Sequence, residues 1–364
     1  MSQKIISPTQ FVNDLEPYKT ASQKALNFRD SALKLDWNEG TIAPPQAVID
    51  ALVDYLKSPN SLNWYPDMEH RQVREAISRY VGMPLEYIGI FVGSDGALDY
   101  LAKIFLSNGD KVKIVGPTYD QFRVSAAVVG AQIDYIYGEN PFQTDLAAIT
   151  KGLGSDTKLV YLANPNNPTG VLYSKEQISD LLESSPSTLF LIDEAYMDFC
   201  REQTVVELTK KYKNLIVLRT FSKALCLAGI RLGYIIADPE YFALIMRVQN
   251  TKEVSVLSQV AGRLALEHVQ YYEDYIADVN EVKRWFVQEL QSSGFHVNYG
   301  EGNFILLKVD SPKEFISQLE TEGIYIRDRS YLHQLEGYVR ITIGLKDQML
   351  RVLGTIQNIS GSAK

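Results

Sequence analysis

Cysteine is nearly absent from this chain, with two residues, Cys200 and Cys226, in 364. That excludes a disulfide framework and the paired spacing of cysteine metal sites, so both thiols are expected to be reduced core residues. Histidine is sparse too: His70, His268, His296 and His333 are scattered without ligand spacing, and no metal is implied. No apolar run approaches the roughly 18 residues that span a bilayer. Residues 1–14 lack the basic start and apolar stretch of a signal peptide, so a cytoplasmic protein is expected. HExxH, Walker A, EF-hand and GxSxG patterns are missing too, which removes four common catalytic or ion-binding readings. Positive charge is in deficit, 36 Lys and Arg against 44 Asp and Glu, for a formal net charge of −8. Such a field repels nucleic acid and anionic lipid and points to a small-molecule partner, although a basic cleft can still recruit an anionic substrate.

What is present is the balance of a folded protein, 46% hydrophobic and 22% charged. The length exceeds the roughly 250 residues that one core usually serves, so one large and one small domain are expected. From about residue 66, short apolar runs alternate with longer helical periods, the signature of a wound α/β domain. Strands are predicted over 88–92, 111–115, 132–136, 159–163, 188–192, 215–219 and 232–237. Helices are predicted over 67–81, with Asp67 capping its start and Gly82 its end, and over 95–107, 119–129 and 175–183. This predicts an α/β fold with a mostly parallel seven-stranded sheet. Beyond residue 237 a helical stretch over 255–292 precedes β-rich segments at 303–309, 324–327 and 339–343, which read as a smaller α+β domain. The expected division is an arm, 1–40, packing on the small domain or a partner subunit; a large domain, 41–245; and a small domain, 246–364.

The chemistry concentrates in three segments. Lys223 lies in Thr220-Phe221-Ser222-Lys223-Ala224-Leu225, just after an apolar strand and among small and apolar residues. An isolated lysine is normally a solvated surface charge. Here the ammonium would lose hydration, and the neutral amine that results is the form that attacks a carbonyl. Asp193, 30 residues earlier, ends the apolar strand that leads into Glu194-Ala195-Tyr196. Taken alone it is as readily a cap; beside an imine-forming lysine, it can hold a pyridine nitrogen protonated. The third segment is Asn164-Pro165-Asn166-Asn167-Pro168-Thr169-Gly170, a rigid turn in any protein, which here positions the Asn167 amide.

In this order the three segments resemble those of fold-type-I pyridoxal-phosphate (PLP) aminotransferases, most closely the histidinol-phosphate aminotransferase family, over residues 18–343. The resemblance implies the aspartate aminotransferase-like PLP-dependent transferase fold and pyridoxal 5′-phosphate as cofactor. It implies Lys223 as the Schiff-base lysine, Asp193 as the pyridinium partner, and Asn167 and Tyr196 as partners of the ring oxygen. Ser222 and Arg231 match the phosphate ligands, an assignment that suits a forked guanidinium and a hydroxyl. Ser94 and Asp95, in the turn Val92-Gly93-Ser94-Asp95-Gly96, match the residues that present backbone N–H groups to that phosphate. Tyr119 matches the aromatic that stacks on the ring. Tyr65 matches a tyrosine that reaches the neighbouring subunit's cofactor, which implies a homodimer.

For the substrate, the resemblance implies Arg340 as the α-carboxylate clamp and Arg327 and Tyr18 as contacts to a distal phosphate. The segment Leu35-Asp36-Trp37-Asn38-Glu39-Gly40-Thr41 is expected to line the substrate side through Asn38. It lacks the second Asn and the Pro of the family's Asn-Glu-Asn-Pro. Transamination is the leading reading. A lyase-type decarboxylation, elimination or cyclisation stays open on the same residues, and a non-catalytic DNA-binding regulator is disfavoured by the acidic balance and the lack of a spare segment.

Overall fold

In the computed structural model, residues 6–18 and 23–361 are described. Thirteen strands form three sheets among them. The central sheet contains β2 (Ile88–Val92), β3 (Lys111–Gly116), β4 (Gln132–Tyr137), β5 (Thr157–Ala163), β6 (Leu189–Asp193), β7 (Leu215–Thr220) and β8 (Leu232–Ala237). Their order is β2-β8-β7-β6-β5-β3-β4, with β8 antiparallel to both neighbours and every other pair parallel. The seven expected strands are therefore all present, each within a residue or two of its expected ends.

Strands β5 to β8 are almost continuously apolar because helices cover both faces of the sheet, as buried parallel strands require. Alternation still sorts their side chains. Leu159, Tyr161, Leu189 and Leu191 face the core that contains Leu98, Leu101 and Phe122. Val160, Leu162, Phe190 and Ile192 face the opposite core with Ile77, Ile178 and Tyr234. The register Ala163↔Asp193 then brings Asp193 to the face of Tyr161.

Helix Arg71–Val81 begins later than expected. The Asp67 carboxylate does accept the Glu69 and Arg71 N–H groups, but His70 takes a left-handed conformation and puts a turn between cap and helix. Gly82, with φ of 69°, ends the helix as expected. The stretch over 255–292 is two helices, Val256–Glu267 and Val269–Ser292, broken at His268. The first packs on Arg71–Val81 and β8, while the second leaves that core after Tyr272 and enters another from Tyr275.

That other core lies under a four-stranded sheet, β12-β13-β10-β9, made of β9 (Val297–Tyr299), β10 (Phe304–Lys308), β12 (Arg327–Asp328) and β13 (Tyr338–Thr342). A two-stranded parallel pair, β1 (Leu33–Lys34) with β11 (Ile324–Tyr325), ties the N-terminal arm to it, and Leu33 and Leu35 are buried there. The continuous strand expected over 324–327 is thus split between two sheets at Ile326. Cys200 is buried and Cys226 half-buried, both as free thiols. Among the described residues, no helix is long and apolar enough to cross a membrane.

Candidate active site

A cleft of about 430 Å³ opens at the carboxyl ends of β5, β6 and β7, where ligands bind in open α/β sheets. Asp193 and Thr220 are the last residues of their strands, and Lys223 follows β7 by three positions. Lys223 lines the cleft with Ser94, Asp95, Tyr119, Asn167, Asp193, Tyr196, Ser222, Arg231, Tyr18, Arg327 and Arg340, so every expected site residue except Asn38 and Tyr65 meets there.

Lys223 donates from Nζ to the Trp37 carbonyl at 2.8 Å and lies 5.9 Å from the Tyr196 ring centre. Burial first, and the Arg340 charge second, push its ammonium down to about 8. Asp193 is buried. Burial pushes its carboxyl up to about 6, while the Tyr161 hydroxyl and the Ala195 N–H, donating at 2.7 and 3.0 Å, favour the ionised form. The Tyr119 hydroxyl donates to Asp95 at 3.0 Å, and burial together with that carboxylate keeps it protonated.

One end of the cleft is built for an anion. Helix Gly93–Phe105 points its N-terminal N–H groups into it. Arg231 crosses that terminus, bonded to Asp95 at 3.2 Å, and Ser222 and Thr220 close the side. The backbone is fitted to this arrangement. A Cβ on Gly93, where φ is +71°, would lie 2.8 Å from Arg231 Nη2, and one on Gly233 would lie 2.3 Å from the Ser94 nitrogen. An amine, a buried carboxylate and an anion cradle on three sides of one cleft fit the aldehyde, the ring nitrogen and the phosphate of PLP.

A chain of hydrogen bonds closes the fourth side. Asn38 and Asn167 both donate to the Tyr196 hydroxyl, at 3.1 and 3.2 Å. Arg340 donates to Asn167 Oδ1 and to the Asp36 carbonyl, both at 2.6 Å. Asn38 is fully buried and does not line the cleft; its backbone N–H and its Oδ1 meet Thr342, and Asn303 donates to its carbonyl. It joins β13 and the residue before β10 to the Tyr196 loop. Tyr65 stands outside, 80% exposed, with the Lys252 ammonium over its ring.

Two cleft residues, and one buried behind the cleft, escape the motif-based reading. Arg329 reaches the cleft beside Arg327. Glu39 pairs with Lys34 at the cleft edge, where Lys34 also pairs with Asp36 at 3.0 Å. Tyr161 hides in an apolar strand. Only Arg329 carried a signal: it repeats the arginine two positions earlier in a β-rich segment, and so shares its face.

A fold and cleft of this kind define a PLP-dependent transferase. The profile of the family described as aminotransferase class I and II matches residues 25–355. The chain belongs to that family; it is a PLP-dependent aminotransferase, and pyridoxal 5′-phosphate is its cofactor. It is 38% identical over 356 residues, 96% of each chain, to a dihydroxyacetone phosphate transaminase of Campylobacter jejuni. It is 34% identical over 327 residues, 88% of this chain and 91% of the other, to a histidinol-phosphate aminotransferase of Ruminiclostridium cellulolyticum. The fold matches that of the histidinol-phosphate aminotransferase of Sinorhizobium meliloti in complex with pyridoxal-5′-phosphate, with a TM-score of 0.89 over the whole of both chains at 22% identity.

Proposed function

We propose that this aminotransferase exchanges the amino group of an amino acid with a small substrate bearing a phosphate ester. The observation that carries the reading is Arg327 directly opposite Arg340 on β12 and β13, both buried and both lining the cleft. Like charges opposite one another on a sheet repel, and an anion bound in the cleft would offset that repulsion. The names of two relatives support the phosphate, as dihydroxyacetone phosphate in one and histidinol phosphate in the other. The more extensive match favours the ketone phosphate as amino acceptor, with histidinol phosphate the second compound to try.

In this reading Lys223 holds the cofactor through its amine and, once displaced, carries the proton that leaves the substrate's Cα. Bound there, PLP supplies a ring that withdraws electrons from that carbon. Asp193 keeps a positive charge at the ring nitrogen, and Tyr119 covers the ring face. Tyr196 and Asn167 hold the ring oxygen. Ser222, Arg231 and the N–H groups of Ser94 and Asp95 hold the phosphate. Arg340 clamps an α-carboxylate, Arg327 and Tyr18 meet the distal phosphate, and Asn38 acts by fixing Tyr196.

The protein is further proposed to be a cytoplasmic homodimer. Leu62, Trp64, Tyr65 and Met68 leave a run of apolar side chains in solvent, with Trp64 69% exposed, which a second copy would cover. The free thiols suit a reducing compartment. The chain is further proposed to divide into an arm, 1–40, a large domain, 41–245, and a small domain, 246–364, with helix Val256–Glu267 packing on helix Arg71–Val81 and β8 of the large domain. The test is turnover of each phosphorylated substrate against its dephosphorylated counterpart, over a panel of amino donors and keto acids. Equal kcat/KM with and without the phosphate sinks the reading.

A further inference from the structure

Arg329 follows Arg327 by two residues, and its backbone N–H continues the pairing with β13 by donating to the Tyr338 carbonyl at 3.0 Å. The alternation of a pleated strand therefore turns Arg329 to the same side as Arg327 and Arg340, and all three reach the cleft. Arg329 is 6% exposed. Its Nη1 donates to the Tyr331 hydroxyl at 3.0 Å, and its Nε has no partner. Arg340, 2% exposed, also has an unpartnered Nε.

A buried guanidinium without a counter-charge is costly. The acidic groups of the cleft are already engaged: Asp36 and Glu39 with Lys34, Asp95 with Arg231 and Tyr119, and Asp193 with Tyr161. Among the described residues, no carboxylate lies within 4.0 Å of Arg329 or Arg340. The cationic excess is felt inside the cluster, where Arg329 and Arg327 add to burial in lowering the proton affinity of Arg340. An α-carboxylate brings one negative charge to this group. A phosphate monoester brings close to two, with three acceptor oxygens.

We propose that Arg329 is a specificity-determining residue, whose guanidinium, with no carboxylate beside it among the described residues, donates to a dianionic phosphate on the substrate. The inference rests on the phosphorylated-substrate reading and adds to it a second arginine for the distal phosphate. An enzyme with two forked donors at this point discriminates by charge number, rejecting a distal carboxylate or hydroxyl of the same reach.

The test uses the PLP-loaded enzyme, whose cofactor cradle is already filled, and glycerol 3-phosphate as an unreactive probe, with glycerol as control. Calorimetry measures both dissociation constants in the wild type, Arg329→Gln, Arg329→Lys and Arg327→Gln. The expected result is that the wild type binds glycerol 3-phosphate far more tightly than glycerol. Arg329→Gln should weaken the phosphate ester about tenfold or more, without changing glycerol, because one charge-assisted contact is lost. Arg329→Lys should fall between, keeping the charge without the fork. Ligand-free Arg329→Gln should melt no lower than the wild type, since a buried repulsion is relieved. If Arg327→Gln weakens glycerol 3-phosphate and Arg329→Gln does not, the inference is overturned and the phosphorylated-substrate reading stands. If Arg329→Gln melts well below the wild type while Arg329→Lys binds like the wild type, the residue is structural and the inference also fails. A wild type that does not distinguish the two probes removes the phosphorylated-substrate reading itself.

Discussion

The Tyr161 hydroxyl donates to Asp193 Oδ2 at 2.7 Å from a fully buried position, with its ring stacked 5.2 Å from that of Phe122. Two adjacent parallel strands meet in this contact, and Asp193 is held by it on one side and by the Ala195 N–H on the other. Removing the hydroxyl leaves the carboxylate with one fewer donor in a dry site, so its pKa rises. Tyr161→Phe should therefore bind PLP more weakly and shift the pH midpoint of the visible absorbance of the lysine-bound cofactor. Scanning absorbance against pH checks this, and an unchanged midpoint would mean that Asp193 is set by the backbone alone.

Burial raises the Asp193 carboxyl from its ordinary 3.8 to about 6, so between those values the folded, cofactor-free protein holds more protons than the unfolded chain. Stability from this group then falls as pH rises through that window and stays low above it, a loss of about 3 kcal/mol. Cofactor-free Asp193→Asn should lack this slope. Its melting temperature should exceed that of the wild type at pH 8 and approach it near pH 4, although its PLP affinity is reduced.

Lys223, with its ammonium pushed down to about 8, is half neutral near that pH. The rate at which cofactor-free enzyme captures added PLP should climb from pH 7 to pH 9 and flatten above, followed by stopped-flow absorbance. Lys223→Ala should keep the fold, lose turnover and leave no linkage that borohydride can reduce.

Arg231 and Ser222 flank the same anion cradle with different strengths, a charged fork against a neutral hydroxyl. Arg231→Ala should raise the PLP dissociation constant more than Ser222→Ala. Gly93→Ala should resemble the arginine change, because the new methyl would stand 2.8 Å from Arg231 Nη2 on a left-handed backbone. Equilibrium dialysis ranks the three, and equal losses for the first two would place Arg231 outside the cradle.

Tyr65, distant from its own cleft and largely exposed, is expected to complete the site of a second copy. Mixing inactive Lys223→Ala with an inactive Tyr65→Ala protein should restore activity in heterodimers that hold one intact site. A fully active monomer by sedimentation would refute the shared site.

The strands and the three chemistry-bearing turns could be read along the chain, because each depends on neighbours in sequence. An apolar run of four to six residues that ends in Asp193, or that leads to Lys223, states by itself that a polar group stands at the mouth of a buried strand. The turn of Asn164 to Gly170 is likewise local. The face that each strand gives to its neighbour is not local, since one residue of register moves a whole set of side chains to the other side. Tyr161 therefore looks like one more core aromatic until β5 and β6 are aligned, and Arg327 and Arg340, thirteen positions apart, become a cross-strand pair only through β12 and β13. The bracing role of Asn38, in place of the expected substrate contact, was beyond reach for the same reason. Its left-handed backbone and its bonds to Tyr196, Thr342 and Asn303 join segments up to 304 residues away, and tertiary packing alone decides that it braces the site from behind.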